Sequence, residues 1–274
     1  MKIACLSGKG GAGKTLVATN LALASGAGCY IDCDVEEPNG HLFLKPDLAE
    51  ERTVSSLLPD FDQEKCIGCK KCVEFCRFHA LIYIKTKPMV FPEVCHSCGG
   101  CALVCPSGAV GEKAKTIGKL QIGHAGKIKT VTGILDPGEA SGVPLINAAL
   151  AEAQGLTVID CPPGSACSVM ESIMDADFCL LVAEPSAFGF HNFKMVHELV
   201  QLLGKPCAVV INKQDQPYQP LEDFCREQQL PILARIAYDP QIAAIAARGE
   251  LVYEKSEKAR ELFDRLWAEI GGRL

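Results

Sequence analysis

A glycine-rich loop near the start of the chain constrains the fold more than any other feature. Residues 7–15 have the sequence Ser-Gly-Lys-Gly-Gly-Ala-Gly-Lys-Thr, which contains G-x-x-x-x-G-K-T, directly after the apolar run Lys2–Leu6. Loops of this pattern join a strand to a helix, and their glycines let backbone N–H groups surround phosphates. The pattern therefore predicts a P-loop α/β fold with a buried first strand and a helix over residues 14–25.

Apolar runs alternate with helical patterns along most of the remaining chain. The runs that predict strands are residues 29–33, 156–159, 178–183, 208–211 and 232–236. Continuous apolar strands are typical of a parallel sheet that is buried on both faces. We therefore expect a mostly parallel sheet covered by helices on both faces. Residues 117–122 and 127–132 have a β-like alternation of apolar and polar residues, and we expect them to lie at the edge of this sheet. The amphipathic residues 254–270 predict a final helix that docks on the sheet.

Two cysteine runs indicate metal chemistry. They are Cys66-x2-Cys69-x2-Cys72-x3-Cys76 and Cys95-x2-Cys98-x2-Cys101-x3-Cys105, eight of the 16 cysteines. This spacing holds two four-iron clusters in bacterial ferredoxins, where the fourth cysteine of each run ligates the other cluster. It predicts one [4Fe-4S] cluster on Cys66, Cys69, Cys72 and Cys105 and a second on Cys76, Cys95, Cys98 and Cys101. Two structural zinc sites are the alternative, since tetrahedral Zn²⁺ also takes thiolates at this spacing.

The cysteine runs lie in a turn-rich segment that interrupts the strand–helix alternation. We predict that residues 60–112 form an inserted ferredoxin-like domain with an internal repeat, and that residues 1–59 and 113–274 form a discontinuous nucleotide-binding domain. An insert of this size has too small an apolar core to fold without its clusters. The other cysteines lie mostly in apolar runs, where small buried side chains are expected.

Composition excludes several classes of function. The net charge is −6, and no segment gathers the Lys and Arg density that broad nucleic-acid binding requires. No apolar stretch approaches the roughly 20 residues of a membrane-spanning helix, and nothing before the glycine loop resembles a signal peptide. The many cysteines at metal-ligand spacing favour a reducing compartment. We therefore expect a cytoplasmic protein that does not bind nucleic acid.

Carboxylates follow two of the predicted strands. Asp32 lies at the end of the second strand and Asp34 directly after it, and Asp160 ends the strand Leu-Thr-Val-Ile-Asp. A carboxylate at the carboxyl end of a parallel strand beside a phosphate loop can hold Mg²⁺ through water. We assign magnesium binding to Asp160, with the hydroxyl of Thr15 as a ligand and Asp32 as an outer helper. Asp34 is assigned to orient the attacking water.

The remaining nucleotide contacts are expected in the loop itself and after a later strand. Lys14 would reach the β- and γ-phosphates. The amide of Asn212 offers a donor and an acceptor to adenine, with Asp215 in the same loop, although capping or turn roles for both are the alternative. The residues predicted to bind nucleotide are Gly8, Lys9, Gly10, Gly11, Ala12, Gly13, Lys14, Thr15, Leu16, Asn212 and Asp215.

Taken in order, these motifs resemble those of the MinD/ParA/Mrp ATPases, a P-loop class with a deviant Walker A motif. The similar segments are Lys-Gly-Gly-Ala-Gly-Lys-Thr at 9–15, Asp-Cys-Asp-Val-Glu-Glu-Pro-Asn at 32–39, Asp-Cys-Pro-Pro-Gly at 160–164, Ala-Glu-Pro-Ser at 183–186 and Ile-Asn-Lys-Gln-Asp at 211–215. With the insert, nearly the whole chain resembles MinD-superfamily ATPases that carry an inserted ferredoxin domain. The resemblance implies an ATP-sandwiched homodimer in which Lys9 reaches the other subunit's ATP. Together with Lys14 and Asp34, whose roles are assigned above, Lys9 is therefore predicted to be catalytic.

The combined motifs predict an ATPase with an iron-sulfur electron-transfer module. Its cofactors would be ATP, Mg²⁺ and two [4Fe-4S] clusters, and its nucleotide cycle would gate electron delivery to an unidentified acceptor or metallocofactor-handling protein. The alternative is an ATP-dependent metallocluster-assembly or spatial-organising ATPase whose clusters sense redox state or are structural. A further alternative function is a redox-regulated interaction protein with negligible turnover. A further alternative for cluster binding is one cluster shared between two subunits through Cys161 and Cys167.

Overall fold

The computed structural model describes residues 1–85 and 87–273. The predicted domain ranges also include Thr86 and Leu274, which lie outside the described residues. The strands are β1 (Lys2–Leu6), β2 (Cys29–Asp32), β3 (Asp47–Phe61), β4 (Leu81–Ile84), β5 (Lys87–Val90), β6 (Val110–Ala125), β7 (Ile128–Leu135), β8 (Thr157–Asp160), β9 (Phe178–Ala183), β10 (Cys207–Gln214) and β11 (Ile232–Ala237). The helices are α1 (Lys14–Ala24), α2 (Gly40–Leu44), α3 (Lys71–Phe75), α4 (Gly100–Leu103), α5 (Val143–Leu150), α6 (Cys167–Ile173), α7 (Ala187–Leu202), α8 (Gln219–Glu227), α9 (Pro240–Ala247), α10 (Val252–Lys255) and α11 (Glu257–Gly271).

The main sheet has the strand order β11-β10-β9-β1-β8-β2-β7-β6-β3. Neighbouring strands pair in parallel from β11 to β7, and β6 and β3 add antiparallel pairings at one edge. The mostly parallel sheet predicted from the apolar runs is therefore confirmed. Because β1, β2 and β8 are adjacent and parallel, their carboxyl ends meet at one edge of the sheet, beside the glycine-rich loop.

Helices cover the sheet on both faces over two apolar layers. The predicted C-terminal helix docks on the layer that contains α1, through the buried side chains of Phe263, Leu266 and Ile270. It is divided into α10 and α11 because Ser256 caps α11, its Oγ accepting a hydrogen bond from the Ala259 N–H at 3.3 Å. None of the helices in the described residues combines the length and apolarity needed to span a bilayer.

An antiparallel ribbon of β3 and β6 carries the cysteine-rich segment. The sequence predicted only the inner part of β6, and β3 was missed because its first seven residues are exposed and mostly polar. The ribbon ends where Phe61 pairs with Val110, and the hairpin of β4 and β5 and the short helices α3 and α4 lie beyond it. The boundaries at residues 60 and 112 stay a prediction.

None of the 16 cysteines, all of which lie in the described residues, forms a disulfide. Of the eight outside the two runs, six are buried as small apolar side chains, as expected, and Cys207 is half-buried. Cys167 is exposed at the start of α6, whereas Cys161 is fully buried in the core. A cluster shared through this pair would need Cys161 to leave the core.

Candidate functional site

A cleft of about 590 Å³ opens at the carboxyl edge of the sheet, above the glycine-rich loop. This volume is typical of a small-molecule site. It is lined by the predicted catalytic residue Asp34 and by seven of the predicted nucleotide-binding residues, Lys9, Gly10, Gly11, Gly13, Lys14, Thr15 and Leu16. Its other walls include the 35–39 loop after β2 and the prolines after Asp160.

The side chain of Asn212 contacts the glycine-rich loop and stabilises it. Its Nδ2 donates a hydrogen bond to the Ala12 carbonyl oxygen at 2.8 Å, and the side chain is buried. Gly13 has φ 93°, and a Cβ there would collide with the Asn212 amide. The position therefore requires glycine. This contact supports the loop and is neither a helix cap nor a turn, and Asp215 is exposed. Base recognition by either residue stays a prediction.

Lys14 and Asp160 form a buried ion pair under the loop. Lys14 Nζ lies 2.6 Å from Asp160 Oδ1 and 3.8 Å from Asp34 Oδ2, and the side chains of Lys14 and Asp160 are 6% and 1% exposed. Burial by itself lowers the pKa of Lys14, but the charge of Asp160, with help from Asp32 and Asp34, raises it overall. The ammonium group is thus held charged at the point where a phosphate would enter.

Asp32 and Asp160 lie side by side, because they pair in register at the ends of β2 and β8. Asp32 accepts hydrogen bonds from the backbone N–H groups of Asp34, Asn39 and Gly40, at 3.1, 3.1 and 2.9 Å. Burial, followed by the charge of Asp160, raises the pKa of Asp32. In this structure Asp32 therefore anchors the loop that carries Asp34, which agrees with an outer rather than a direct role.

Asp34 lies at the mouth of the cleft and is half-buried. Burial raises the pKa of its carboxyl to about 6, against the lowering effect of Lys14. An acceptor group beside the phosphate loop is in a suitable place to hold a water molecule.

Tyr30 is a site residue that sequence reasoning missed. Its fully buried hydroxyl donates a hydrogen bond to Asp160 Oδ2 at 2.9 Å. Burial, then the neighbouring Asp160 and Asp32, raises the pKa of Tyr30 well above its usual range, so the hydroxyl stays protonated and can donate. A signal was present in the sequence, because Tyr30 precedes Asp32 by two positions and therefore lies on the same face of β2.

Glu184 is the second missed residue. Lys9 Nζ lies 2.8 Å from Glu184 Oε1, and Lys213 Nζ lies 3.9 Å from Glu184 Oε2. Lys213 also donates a hydrogen bond to the Gly11 carbonyl oxygen at 2.6 Å. The sequence showed Glu184 only as part of the Ala-Glu-Pro-Ser segment, with no indication of its partner.

The eight cysteines of the two runs line two small cavities at the end of the ribbon. One cavity contains Cys76, Cys95, Cys98 and Cys101, and the other contains Cys66, Cys69, Cys72 and Cys105. The structure thus brings together the same two sets of four that the ferredoxin spacing predicts. The other walls are mainly apolar, with Phe75 and Phe78 in the first cavity and Phe61 and Val110 in the second.

The donor chemistry of each cavity fits a [4Fe-4S] cluster, which is bound by four thiolates in an apolar setting. Within residues 1–85 and 87–273, no three His, Cys, Asp or Glu side chains are grouped so that they could hold a metal ion, so cluster binding in these cavities stays a prediction. In the cavity that Cys105 shares with Cys66, Cys69 and Cys72, Cys105 Sγ accepts a hydrogen bond from the Ala109 N–H at 3.3 Å. Such N–H···S contacts orient and tune cluster ligands.

Comparison with known proteins gives a family match over residues 3–252, to the CobQ/CobB/MinD/ParA nucleotide binding domain. The cell division ATPase MinD of Pyrococcus furiosus has a similar structure, with a TM-score of 0.60 at 21% identity over 100% of this chain and 99% of that chain. The septum site-determining protein MinD of Pyrococcus horikoshii, solved with Mg-ADP, gives 0.59 at 19% identity over 98% and 95%. An uncharacterized ferredoxin of Methanocaldococcus jannaschii is 40% identical over 53 residues, 18% of this chain and 69% of that protein.

Proposed function

This chain belongs to the CobQ/CobB/MinD/ParA nucleotide-binding domain family, and from that membership and the geometry of the cleft we propose that it is a Mg²⁺-dependent ATPase active as a homodimer. The observation that carries the proposal is the Lys14–Asp160 ion pair beneath the loop, 2.6 Å long and buried. A buried lysine and a buried carboxylate at this point are the two groups that a magnesium–phosphate pair would separate.

Nucleotide binding would break this ion pair and give each of its two residues a new partner. Lys14 would turn from Asp160 to the phosphates, and Asp160, with the Thr15 hydroxyl, would hold Mg²⁺. The exchange leaves each buried charge with an opposite one, which low-dielectric surroundings require. Asp34, half-buried at the cleft mouth, would hold the attacking water and accept its proton. Lys9 would leave Glu184 and neutralise phosphate charge in the partner subunit's site.

We further propose that the cysteine cavities hold two [4Fe-4S] clusters, which supply one-electron redox chemistry. The grouping of the eight thiols into two sets of four supports this, and the ferredoxin match of 53 residues agrees with it. The presence of an ATPase and an electron carrier in one protein is explained most simply if the bound nucleotide controls electron transfer to a partner protein.

Anaerobic redox titration of the purified protein by EPR, with and without MgATP, tests the coupling. A midpoint shift of roughly 59 mV or more, which is tenfold for one electron, supports ATP-gated transfer. The Lys14→Ala variant, which should keep its clusters, is the matched control and should show no shift. Clusters that are present and reducible but insensitive to nucleotide would instead favour the assembly or spatial-organising alternative.

A further inference from the structure

The two halves of the cysteine repeat differ in charge. The first run has Cys69-Lys70-Lys71-Cys72 where the second has Cys98-Gly99-Gly100-Cys101. Both stretches lead into a short helix, α3 in the first half and α4 in the second. Lys70 and Lys71 therefore occupy the positions that glycine occupies in the second half.

Backbone geometry does not explain the lysine at position 70. Lys70 has φ 61° and Gly99 has φ 69°, so both are in the left-handed conformation. Glycine adopts this conformation freely, whereas other residues are strained there by about 1 kcal/mol. Glycine stands at the equivalent position of the second half, whereas Lys70 carries a local conformational cost there.

Two exposed lysines directly follow an exposed cysteine that we propose as a cluster ligand. Cys69, Lys70 and Lys71 are all exposed, and Ile67 beside them is 68% exposed. Lys70 Nζ lies 5.2 Å from the ring centroid of Tyr83, which lines the same cavity. In the described part of the chain, no carboxylate lies within 4 Å of either lysine, whereas the neighbouring Lys65 is paired with Asp62 at 3.0 Å.

The β4–β5 hairpin adds two more lysines at the same end. Tyr83 pairs with Pro88, and both line this cavity. Lys85 and Lys87 lie between them in the chain and are exposed. Between residues 63 and 87 the exposed carboxylates are Glu64 and Glu74, fewer than the exposed lysines Lys65, Lys70, Lys71, Lys85 and Lys87, so the chain that forms this cavity is positively charged. The run around the exposed Cys98 has no lysine.

We propose that this lysine face, defined by Cys69, Lys70, Lys71, Lys85 and Lys87 with the apolar Ile67, is the docking surface for a redox protein with an acidic surface. The proposal rests on the proposed clusters. In the transfer, one electron leaves the cluster on Cys66, Cys69, Cys72 and Cys105 and joins the redox group of the partner, or the reverse. Charges around an exposed apolar residue steer encounter and fix orientation.

Two redox proteins of opposite charge serve as probes. The full chain with clusters is reduced with dithionite and desalted, and it is then mixed in a stopped-flow instrument with flavodoxin, which is acidic, or cytochrome c, which is basic. Lys70→Gly/Lys71→Gln removes two charges and relieves the strain at position 70. Lys127→Gln/Lys255→Gln removes two exposed lysines elsewhere and is the control. Iron content is measured for every variant.

We expect electron transfer to flavodoxin to be about tenfold slower in the Lys70/Lys71 variant at low salt, and to lose its salt dependence, with the control unchanged. The rate with cytochrome c should not fall, which separates docking from an altered cluster potential, since a potential change affects both probes in the same direction. Equal flavodoxin rates in all three proteins would overturn the docking surface alone. Reducible clusters that transfer electrons to neither probe would contradict the electron-transfer function itself and the surface with it.

Discussion

Lys9 Nζ lies 2.8 Å from Glu184 Oε1 of the same chain, so the additional lysine of the glycine-rich loop is held within its own subunit in this structure. A lysine in this position cannot reach a second subunit until the contact breaks. The ion pair therefore opposes the dimer that we propose for the ATP-bound state.

Replacing Glu184 with Gln should strengthen ATP-dependent dimerisation. Both side chains are 22% exposed, and a partly exposed pair contributes about 0.5 kcal/mol, or about 1 kcal/mol for the two subunits. We expect the dimer dissociation constant to fall about fivefold by analytical ultracentrifugation with ATP. Glu198→Gln, an exposed change on α7, is the control. An unchanged constant in Glu184→Gln would show that Lys9 is not restrained by this contact.

Tyr30→Phe should impair the magnesium site without unfolding the protein. The Tyr30 hydroxyl donates to Asp160 Oδ2 at 2.9 Å in a buried setting, and the loss of one such hydrogen bond costs about 1 kcal/mol of unfolding free energy. The Mg²⁺ concentration for half-maximal ATP hydrolysis should rise, because Asp160 is less firmly oriented. Tyr238→Phe, on an exposed ring, should change neither denaturant midpoint nor Mg²⁺ requirement. A normal Mg²⁺ requirement in Tyr30→Phe would remove Tyr30 from the site.

ATP hydrolysis should fall as the pH drops through about 6. Burial raises the pKa of Asp34 to about 6, and only the carboxylate form can accept a proton from the attacking water. Above this pH the group is ionised and active, and below it the group is protonated and inactive, so kcat/KM should fall on the acid side. Asp34→Asn should be nearly inactive at every pH while its iron content stays normal. Turnover that survives in Asp34→Asn would reassign the role.

Cysteine substitutions should reveal which thiols share a cluster. Cys72 and Cys105 line one cavity, although 33 positions apart, whereas Cys72 and Cys76 line different cavities. The double variant Cys72→Ser/Cys105→Ser should therefore lose one cluster, about four of eight irons, which is no more than either single variant loses. The double variant Cys72→Ser/Cys76→Ser should lose both clusters. Iron analysis and EPR measure the loss, with the exposed Cys167→Ser as control. Equal iron loss in the two double variants would contradict the crossed pairing.

Much of the framework was predictable because its signals are local. The glycine-rich loop, the apolar runs of β1 and β9 and the cysteine spacings are each contained in short stretches of chain. The strand β3 was not predictable in this way, because its exposed polar residues become a strand only through pairing with β6. The C-terminal helix was expected from its apolar face, although its first residue depended on the Ser256 cap.

The residues that we propose for the chemistry were predictable from local patterns: a phosphate loop, aspartates at strand ends and two sets of candidate cysteine ligands. Their partners became visible only in the folded chain. Tyr30 meets Asp160 across 130 positions, and Lys9 meets Glu184 across 175. The strand order places β9, β1, β8 and β2 next to one another in the middle of the sheet, so that residues at their carboxyl ends become neighbours. A local sequence pattern contains no information on which distant side chain stands opposite.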